Sequence, residues 1–145
     1  MSENVFVDTN VLVYSRDLSE PEKQPQALAW MNHLWNTRTG RTGFQVLQEF
    51  YVTVTQKLVP GLDQETARED VRSLLSWGPT TVDRRVMEGA WRIQDAYGLS
   101  WWDALIVSAA LVAGCRYLLT EDLQEGQNLE TLVVLNPFRT SPSDL

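Results

Sequence analysis

Four acidic residues, spread along the chain, have the types and settings of ligands for a metal ion. Asp8 ends an apolar segment, Glu49 lies early in an amphipathic one, Asp103 follows two tryptophans, and Asp122 follows Leu119-Thr120-Glu121. Close carboxylates repel one another, so that one would be protonated unless a cation lay between them. Oxygen ligands without His or Cys favour Mg²⁺ or Mn²⁺, which can activate water for phosphodiester hydrolysis.

Each of these acids also has a purely structural interpretation. Asp8 is equally suited to cap a helix, and Glu49 alone fits an ordinary solvated side chain. Asp103 could close a capping box with Ser100, and Asp122 could be a turn residue. The four together are more specific than any one of them.

The apolar pattern predicts elements that would gather the four acids. Strands are expected at residues 4–8, 117–119 and 132–135, with a short one at 80–82 and a very short one at 41–43. Helices are expected at residues 11–15, 21–36, 44–58, 63–77, 83–97 and 101–112. In parallel α/β units, the carboxyl ends of strands and the amino ends of helices share one edge, where ligands bind. We therefore expect an α/β fold whose parallel sheet carries all four acids at that edge.

Composition predicts one domain and raises a conflict about its partner. The 145 residues, 43% apolar and 21% charged, suit a single domain over residues 1–136 with a polar tail over 137–145. The start lacks the pattern of a signal peptide, so a cytoplasmic location is expected. A protein that binds nucleic acid by bulk attraction to phosphate should be basic, yet the net charge is −7. Either the protein does not bind nucleic acid, or much of its negative charge lies in a site that binds cations first.

Other catalytic classes lack the residues they need. The one histidine, His33, has no partner for a zinc site or a serine triad, and the one cysteine, Cys115, lies in an apolar stretch and is expected to be buried. An aspartyl-nucleophile phosphatase needs a second acid where Asn10 stands, and a partner lysine, although the only lysines are Lys23 and Lys57. No glycine-rich phosphate loop is present, which argues against an NTPase.

Aromatic and basic residues give further hypotheses. Most of the six tryptophans are expected in the core, with Trp30, Trp35 and Trp77 as candidates for an interface. Arg38 and Arg41 could meet substrate phosphates beside the Glu49 helix. A solvated face is the favoured interpretation of the Arg84 and Arg85 pair.

In order and spacing, the motifs resemble the PIN-domain family, and within it the VapC-type ribonuclease toxins of type II toxin–antitoxin systems. The likeness covers nearly the whole chain and rests on Val7-Asp8-Thr9-Asn10-Val11-Leu12, Glu49, Trp102-Asp103-Ala104-Leu105-Ile106 and Leu119-Thr120-Glu121-Asp122-Leu123. It implies a PIN-like three-layer sandwich with helices around a central, mostly parallel sheet. It also implies Mg²⁺- or Mn²⁺-dependent endoribonuclease activity, homodimers, and a small antitoxin that covers the active site.

The resemblance assigns roles residue by residue. Asp8, Glu49 and Asp103 match the catalytic, metal-binding carboxylates. Asp122 matches the fourth acidic position, which varies most in the family.

The resemblance also suggests supporting residues and leaves two alternatives. Thr9 or Asn10 would orient Asp8 through a hydrogen bond, and Thr120 would contact the site. A free-standing RNA-processing nuclease of the same fold would share all of these residues. A non-catalytic protein-binding module, with the acids as caps, is the second alternative, and it should show no melting shift with Mn²⁺.

Overall fold

The computed structural model describes residues 3–145 and shows an α/β fold around a five-stranded sheet. Its strands are β1 (Val5–Val7), β2 (Gly40–Arg41), β3 (Tyr117–Leu119), β4 (Asn128–Leu129) and β5 (Leu132–Leu135), in the order β2-β1-β3-β5-β4. All pairings are parallel except that of β4 with β5. The predicted α/β fold with a mostly parallel central sheet is confirmed. Residues 1 and 2 of the predicted domain lie outside the described residues.

Six α-helices lie within residues 3–145: α1 (Thr9–Tyr14), α2 (Lys23–Thr37), α3 (Phe44–Val52), α4 (Gln64–Leu75), α5 (Arg84–Tyr97) and α6 (Trp101–Val112). α3 continues into a π-helical turn at Thr53–Lys57, and a 3-10 turn follows at Pro142–Asp144. The six helices predicted from the sequence are confirmed. None of these helices has the length and apolar character that a bilayer-spanning segment needs.

Strand β1, which is paired on both sides, shows that both faces of the sheet are covered. Successive side chains of a strand point to opposite faces, and Val5, Phe6 and Val7 of β1 are all 0% exposed. A strand that is apolar throughout and buried on both faces is typical of a parallel sheet between helical layers.

Two strand predictions needed correction. β4 was not predicted, and it forms a hairpin with β5 through Glu130, whose φ is 58°. The strand expected at residues 80–82 is wrong as an extended element, because Thr80 makes only an isolated parallel bridge with Gly43.

The interface hypothesis is wrong for two of the three tryptophans. Trp30 is 0% exposed, and its Nε1 donates to the carbonyl oxygen of Thr140 at 3.0 Å. Trp77 is 8% exposed and packs against Trp35 with ring centroids 4.9 Å apart, whereas Trp35 itself is 40% exposed. Cys115 is buried as predicted, and burial raises the pKa of its thiol to about 12.

Candidate metal-binding and catalytic site

The carboxyl ends of β1 and β3 place Asp8 and Thr120 side by side. The backbone N–H of Asp8 donates to the Leu119 carbonyl at 3.1 Å, and that of Thr120 donates to the Leu135 carbonyl at 3.0 Å. The parallel pairing therefore continues one residue past each strand. It brings together two residues that are 112 apart in sequence.

Asp8 is a buried carboxylate held at both oxygens. It is 8% exposed, and its Oδ1 accepts from the backbone N–H of Thr9 at 2.7 Å. Its Oδ2 accepts from the Thr120 hydroxyl at 2.9 Å and from Asn10 Nδ2 at 3.4 Å. The bond to the Thr9 N–H is also the cap of α1, so the structural and functional interpretations of Asp8 are compatible.

Asn10 links two of the acids. Its Nδ2 lies 3.1 Å from Asp122 Oδ2 and 3.1 Å from Thr120 Oγ1, in addition to its contact with Asp8. Its Oδ1 accepts from the backbone N–H of Glu121 at 3.4 Å. An aspartate in this position would place another negative charge between Asp8 and Asp122, whereas the amide donates to both.

Glu49 is oriented from two helices. Its Oε2 accepts from the Thr9 hydroxyl at 2.9 Å, and its Oε1 accepts from Gln45 Nε2 at 3.2 Å. The side chain of Thr9 therefore contacts Glu49, while only its backbone contacts Asp8. Gln45 was missed from the sequence, although its i, i+4 spacing from Glu49 on a helix is a usable signal.

Asp103 lies in the first turn of α6 with its carboxylate uncommitted. Its backbone N–H donates to the Ser100 hydroxyl at 3.3 Å, which is half of a capping box. Within residues 3–145, no donor is bonded to the Asp103 carboxylate, so the reciprocal half is not formed. That carboxylate is available to a ligand at the amino end of the helix.

The pKa shifts of Asp8 and Asp122 include repulsion from the neighbouring acids. Burial raises the pKa of Asp8 to about 6, and repulsion from Asp122 and Glu49 adds to the rise, against the bonds from Thr9 and Thr120. Burial also raises the pKa of Asp122, and repulsion from Asp103 adds to it, against the bond from Asn10. The four acids are therefore electrostatically linked, and positive charge among them would be stabilising.

The carboxylate oxygens of the four acids are suitable ligands for a hard divalent cation, but they are not arranged around one metal position. All four acids offer carboxylate oxygens, which Mg²⁺ and Mn²⁺ prefer. Within residues 3–145, however, no three Asp, Glu, His or Cys side chains are arranged so that they could hold a metal ion. Asp8 and Glu49 are instead held by protein donors, so metal binding would require carboxylate rotation, and Asp103 has no protein bond to lose.

Arg41, one of the two arginines suggested as phosphate contacts, is bonded to backbone near its own strand. Arg41 donates to the carbonyl of Gly40 at 2.7 Å. Its charge opposes the burial-driven rise in the pKa of Cys115, which lies just before β3. Arg41 Nη1 also donates to the Arg38 carbonyl at 3.3 Å, so the guanidinium lies at the amino end of β2, on the edge opposite Asp8.

The fold and the acidic edge define an α/β protein with carboxylates gathered at the carboxyl ends of parallel strands. A family model, described as PIN domain, matches residues 5–124. The chain belongs to the PIN domain family, a family of nucleases that generally use divalent metal ions. The family resemblance seen in the sequence is confirmed at this level.

Two solved structures share the fold at low sequence identity. A toxin–antitoxin complex from Klebsiella pneumoniae matches with a TM-score of 0.63 and 14% identity, over 92% of this chain and 98% of that chain. The VapBC2 complex of Rickettsia felis, bound to a DNA fragment from its promoter, matches with a TM-score of 0.58 and 16% identity, over 90% and 96%. No curated protein matches this chain significantly.

Proposed function

We propose that the protein is a Mg²⁺- or Mn²⁺-dependent endoribonuclease, the toxin of a toxin–antitoxin pair. The observation that carries the proposal is the buried Asp8, whose pKa is raised to about 6 and which is electrostatically linked to Glu49 and Asp122 in a PIN-domain chain. A buried acid among other acids is costly to ionise unless a cation joins it. Toxin–antitoxin complexes among the structural neighbours support the biological role.

Asp8, Glu49, Asp103 and Asp122 would hold the metal. When bound, such an ion lowers the pKa of a water for attack on phosphorus and offsets the charge that develops on the phosphate oxygens. Asn10 and Thr120 hold Asp8 in place, and Thr9 holds Glu49. Without the cation, the same acids would repel the RNA backbone.

A tryptophan beside the acids offers a way for an acidic protein to bind RNA. Trp102 is 63% exposed, more than any other aromatic side chain in residues 3–145, and it precedes Asp103. Side chains lean toward the amino end of their helix, so Trp102 leans toward the acidic edge. We propose that it stacks on an RNA base, a contact worth about 1–3 kcal/mol that does not depend on protein charge.

The direct test of the nuclease is cleavage of a mixed cellular RNA pool. The wild type is expected to cut with Mg²⁺ or Mn²⁺ and not with EDTA. Asp8→Asn and Asp103→Asn should abolish cutting while the protein stays folded, and Asp122→Asn should be milder. Glu69→Gln, at an exposed acid on α4, is the matched control and should cut normally. Full cleavage by Asp8→Asn would refute the assignment of the site.

A groove lined by residues of α1, α2, α3 and α4 supports an antitoxin partner. It has a volume of about 550 Å³, and its lining includes Leu12, Leu28, Met31, Trp35, Phe50 and Leu74. Two of its walls are α1 and α3, the helices that carry Thr9 and Glu49. We propose that an amphipathic segment of a small antitoxin fills it.

The partner is testable through the neighbouring small reading frame. Its product should bind the wild type and block cleavage. Leu28→Lys, at a side chain 41% exposed on the groove, should lose binding while cleavage continues. Equal binding by the variant would place the partner elsewhere, and a chain that neither slows growth when expressed nor binds this product would favour a free-standing processing nuclease.

We also propose a homodimer, as the family resemblance implies. Trp91 is 50% exposed, and its ring centroid lies 6.4 Å from that of Trp101, which makes an aromatic patch suited to a second copy. Light scattering should give a dimer for the wild type and a monomer for Trp91→Glu. A monomeric wild type at micromolar concentration would exclude the dimer.

A further inference from the structure

We propose that Tyr14, Lys23, Glu121 and Phe138 form a positioning cluster that holds the turn at residues 120–122, and with it the Asp122 carboxylate, at the acidic site. This role rests on the proposed function, because the placement of Asp122 matters chemically only if Asp122 serves a metal. None of the four side chains is a proposed metal ligand. They act through the turn that carries one.

Glu121 is bonded at its side chain and at its backbone. Its Oε1 accepts from the Tyr14 hydroxyl at 2.5 Å, and its Oε2 accepts from Lys23 Nζ at 3.0 Å. Its backbone N–H donates to Asn10 Oδ1 at 3.4 Å, and the next N–H, that of Asp122, donates to the Thr120 hydroxyl at 3.1 Å. The backbone of the turn is therefore bonded to site residues Asn10 and Thr120, while the Glu121 side chain is bonded to Tyr14 and Lys23, outside the site.

Two aromatic rings fix the lysine. Lys23 Nζ lies 4.8 Å from the centroid of the Tyr14 ring and 5.1 Å from that of the Phe138 ring, and it donates to the Tyr14 hydroxyl at 3.3 Å. The two rings meet edge to face at 5.2 Å. Contacts of an ammonium group with two ring faces restrict a side chain that is otherwise flexible.

The cluster joins four parts of the chain: α1, the start of α2, the turn after β3 and the segment after β5. Lys23 and Glu121 are 98 residues apart, and Phe138 lies beyond residue 124, where the family match ends. The segment that the sequence predicted to be a polar tail thus supplies a ring to this cluster. Its position is fixed in turn by the bond from Trp30 Nε1 to the Thr140 carbonyl.

Global stability alone does not explain so many contacts on one glutamate. The side chains of Lys23 and Glu121 are 37% and 23% exposed, and a partly exposed ion pair contributes little to the free energy of folding. The effect of these contacts on the position of the turn is larger than their effect on folding stability. Both carboxylate oxygens of Glu121 are bonded, and Asp122 is the next residue.

Charge and position predict opposite effects for the lysine. Removing a positive charge near a cation site should strengthen metal binding if Lys23 acts only through its charge. Lys23→Met should weaken metal binding if Lys23 holds the turn. Tyr14→Phe removes the two hydrogen bonds of the Tyr14 hydroxyl, to Glu121 and from Lys23, without any change of charge, and it should also weaken metal binding.

The first measurement is the Mn²⁺ concentration that gives the half-maximal melting shift. We expect it to rise at least about 3-fold in Tyr14→Phe and Lys23→Met, with partial recovery in Lys23→Arg. Arg92→Met is the matched control, because the Arg92–Glu130 pair, at 2.8 Å, also joins a helix to a turn but belongs to α5 and the β4–β5 hairpin. It should leave the Mn²⁺ concentration unchanged.

Hydrogen exchange of the metal-free protein is the second measurement. The amides of Glu121 and Asp122 should exchange faster in Tyr14→Phe than in the wild type, with other protected amides unaltered. Unchanged exchange in the turn, or loss of protection across the whole chain, would overturn the positioning role. A wild type that shows no melting shift with Mn²⁺ would instead count against the proposed function, and exchange would then decide the positioning role by itself.

Discussion

At the residue scale, ionised Asp8 lowers the free energy of unfolding, and the proposed function explains why a destabilising acid is present. An acid whose pKa is raised by folding contributes stability below its ordinary pKa of 3.8, and that stability is lost as the pH rises through about 6. We therefore predict that Asp8→Asn increases the free energy of unfolding at pH 7.5 in EDTA by about 1–3 kcal/mol. The increase should vanish at about pH 3, below the ordinary pKa of 3.8, where wild-type Asp8 is protonated in both states.

Chemical denaturation at the two pH values measures this effect. The asparagine amide lacks one acceptor oxygen, so its fit to Thr120 and Asn10 is poorer and the gain lies toward the lower figure. Glu69→Gln, at an exposed acid, should change stability at neither pH. If Asp8→Asn were equally destabilising at both pH values, the carboxylate would be structural and the metal assignment would lose its main support.

The sequence predicted the acids and their common edge, but only part of the network around them. Asp8 and Asp103 follow from local signals, namely the end of an apolar strand and the start of a capped helix. The contact between Asn10 and Asp122 joins residues 112 apart, and no local pattern encodes it. The bond between Lys23 and Glu121 also joins residues far apart in sequence, 98 positions. The positioning cluster could therefore be recognised only from the structure.

At the element scale, local chemistry explains which boundaries were predictable. Asp83 and Ser100 cap α5 and α6 with side-chain bonds, and Gly98 ends α5 with a φ of 66° that favours glycine. The β4–β5 hairpin was missed because its turn contains Glu130 and Thr131, without the glycine or asparagine that usually marks such a turn.

The packing of α5 on α6 sets the position of Asp103 and depends on a close approach. A Cβ added at Gly89 would lie 2.4 Å from Ser108 Oγ, which donates to the Val86 carbonyl at 2.7 Å. We predict that Gly89→Ala destabilises the protein by about 1–3 kcal/mol, because the helices must separate or the hydroxyl must give up its bond. The double variant with Ser108→Ala should lose less than the sum of the single losses. Additive losses in thermal unfolding would contradict this cause.

Trp102 gives a prediction about substrate binding rather than stability. Its side chain is 63% exposed, so Trp102→Leu should hardly change the melting temperature. If it stacks on a base, the variant should raise KM for a short RNA about 5- to 100-fold, while Trp102→Phe should keep most of the affinity. Leu18→Ala, at a side chain 67% exposed between α1 and α2, is the control for loss of an exposed apolar side chain, and it should leave KM near that of the wild type. Equal KM values for Trp102→Leu and the wild type would remove the stacking role.

At the scale of the whole molecule, the net charge of −7 must be reconciled with the RNA substrate that we propose, and the pairing of the basic side chains bears on how. Several arginines in residues 3–145 already have acidic partners within the protein: Arg16 with Asp70, Arg72 with Glu65, Arg84 with Glu88 and Arg92 with Glu130. Of the two lysines, Lys23 is bonded to Glu121. The metal and the exposed Trp102 would therefore supply most of the attraction for RNA.

If the metal and Trp102 supply most of the attraction for RNA, kcat/KM should depend only weakly on salt concentration. A protein that neutralises 6–10 phosphates with its own cations loses about 10³–10⁵ in affinity between 50 and 200 mM salt. With a net charge of −7, this chain should lose less than about 10-fold in kcat/KM over the same range at saturating Mn²⁺. Melting curves at both salt concentrations would exclude a loosened fold as the cause of any change. A phosphate bound to the metal or a base stacked on Trp102 releases few counterions, so neither can produce a steep dependence on salt. A steep fall in kcat/KM would therefore mean that a basic surface holds the RNA. The metal and Trp102 would then contribute less to binding than that surface.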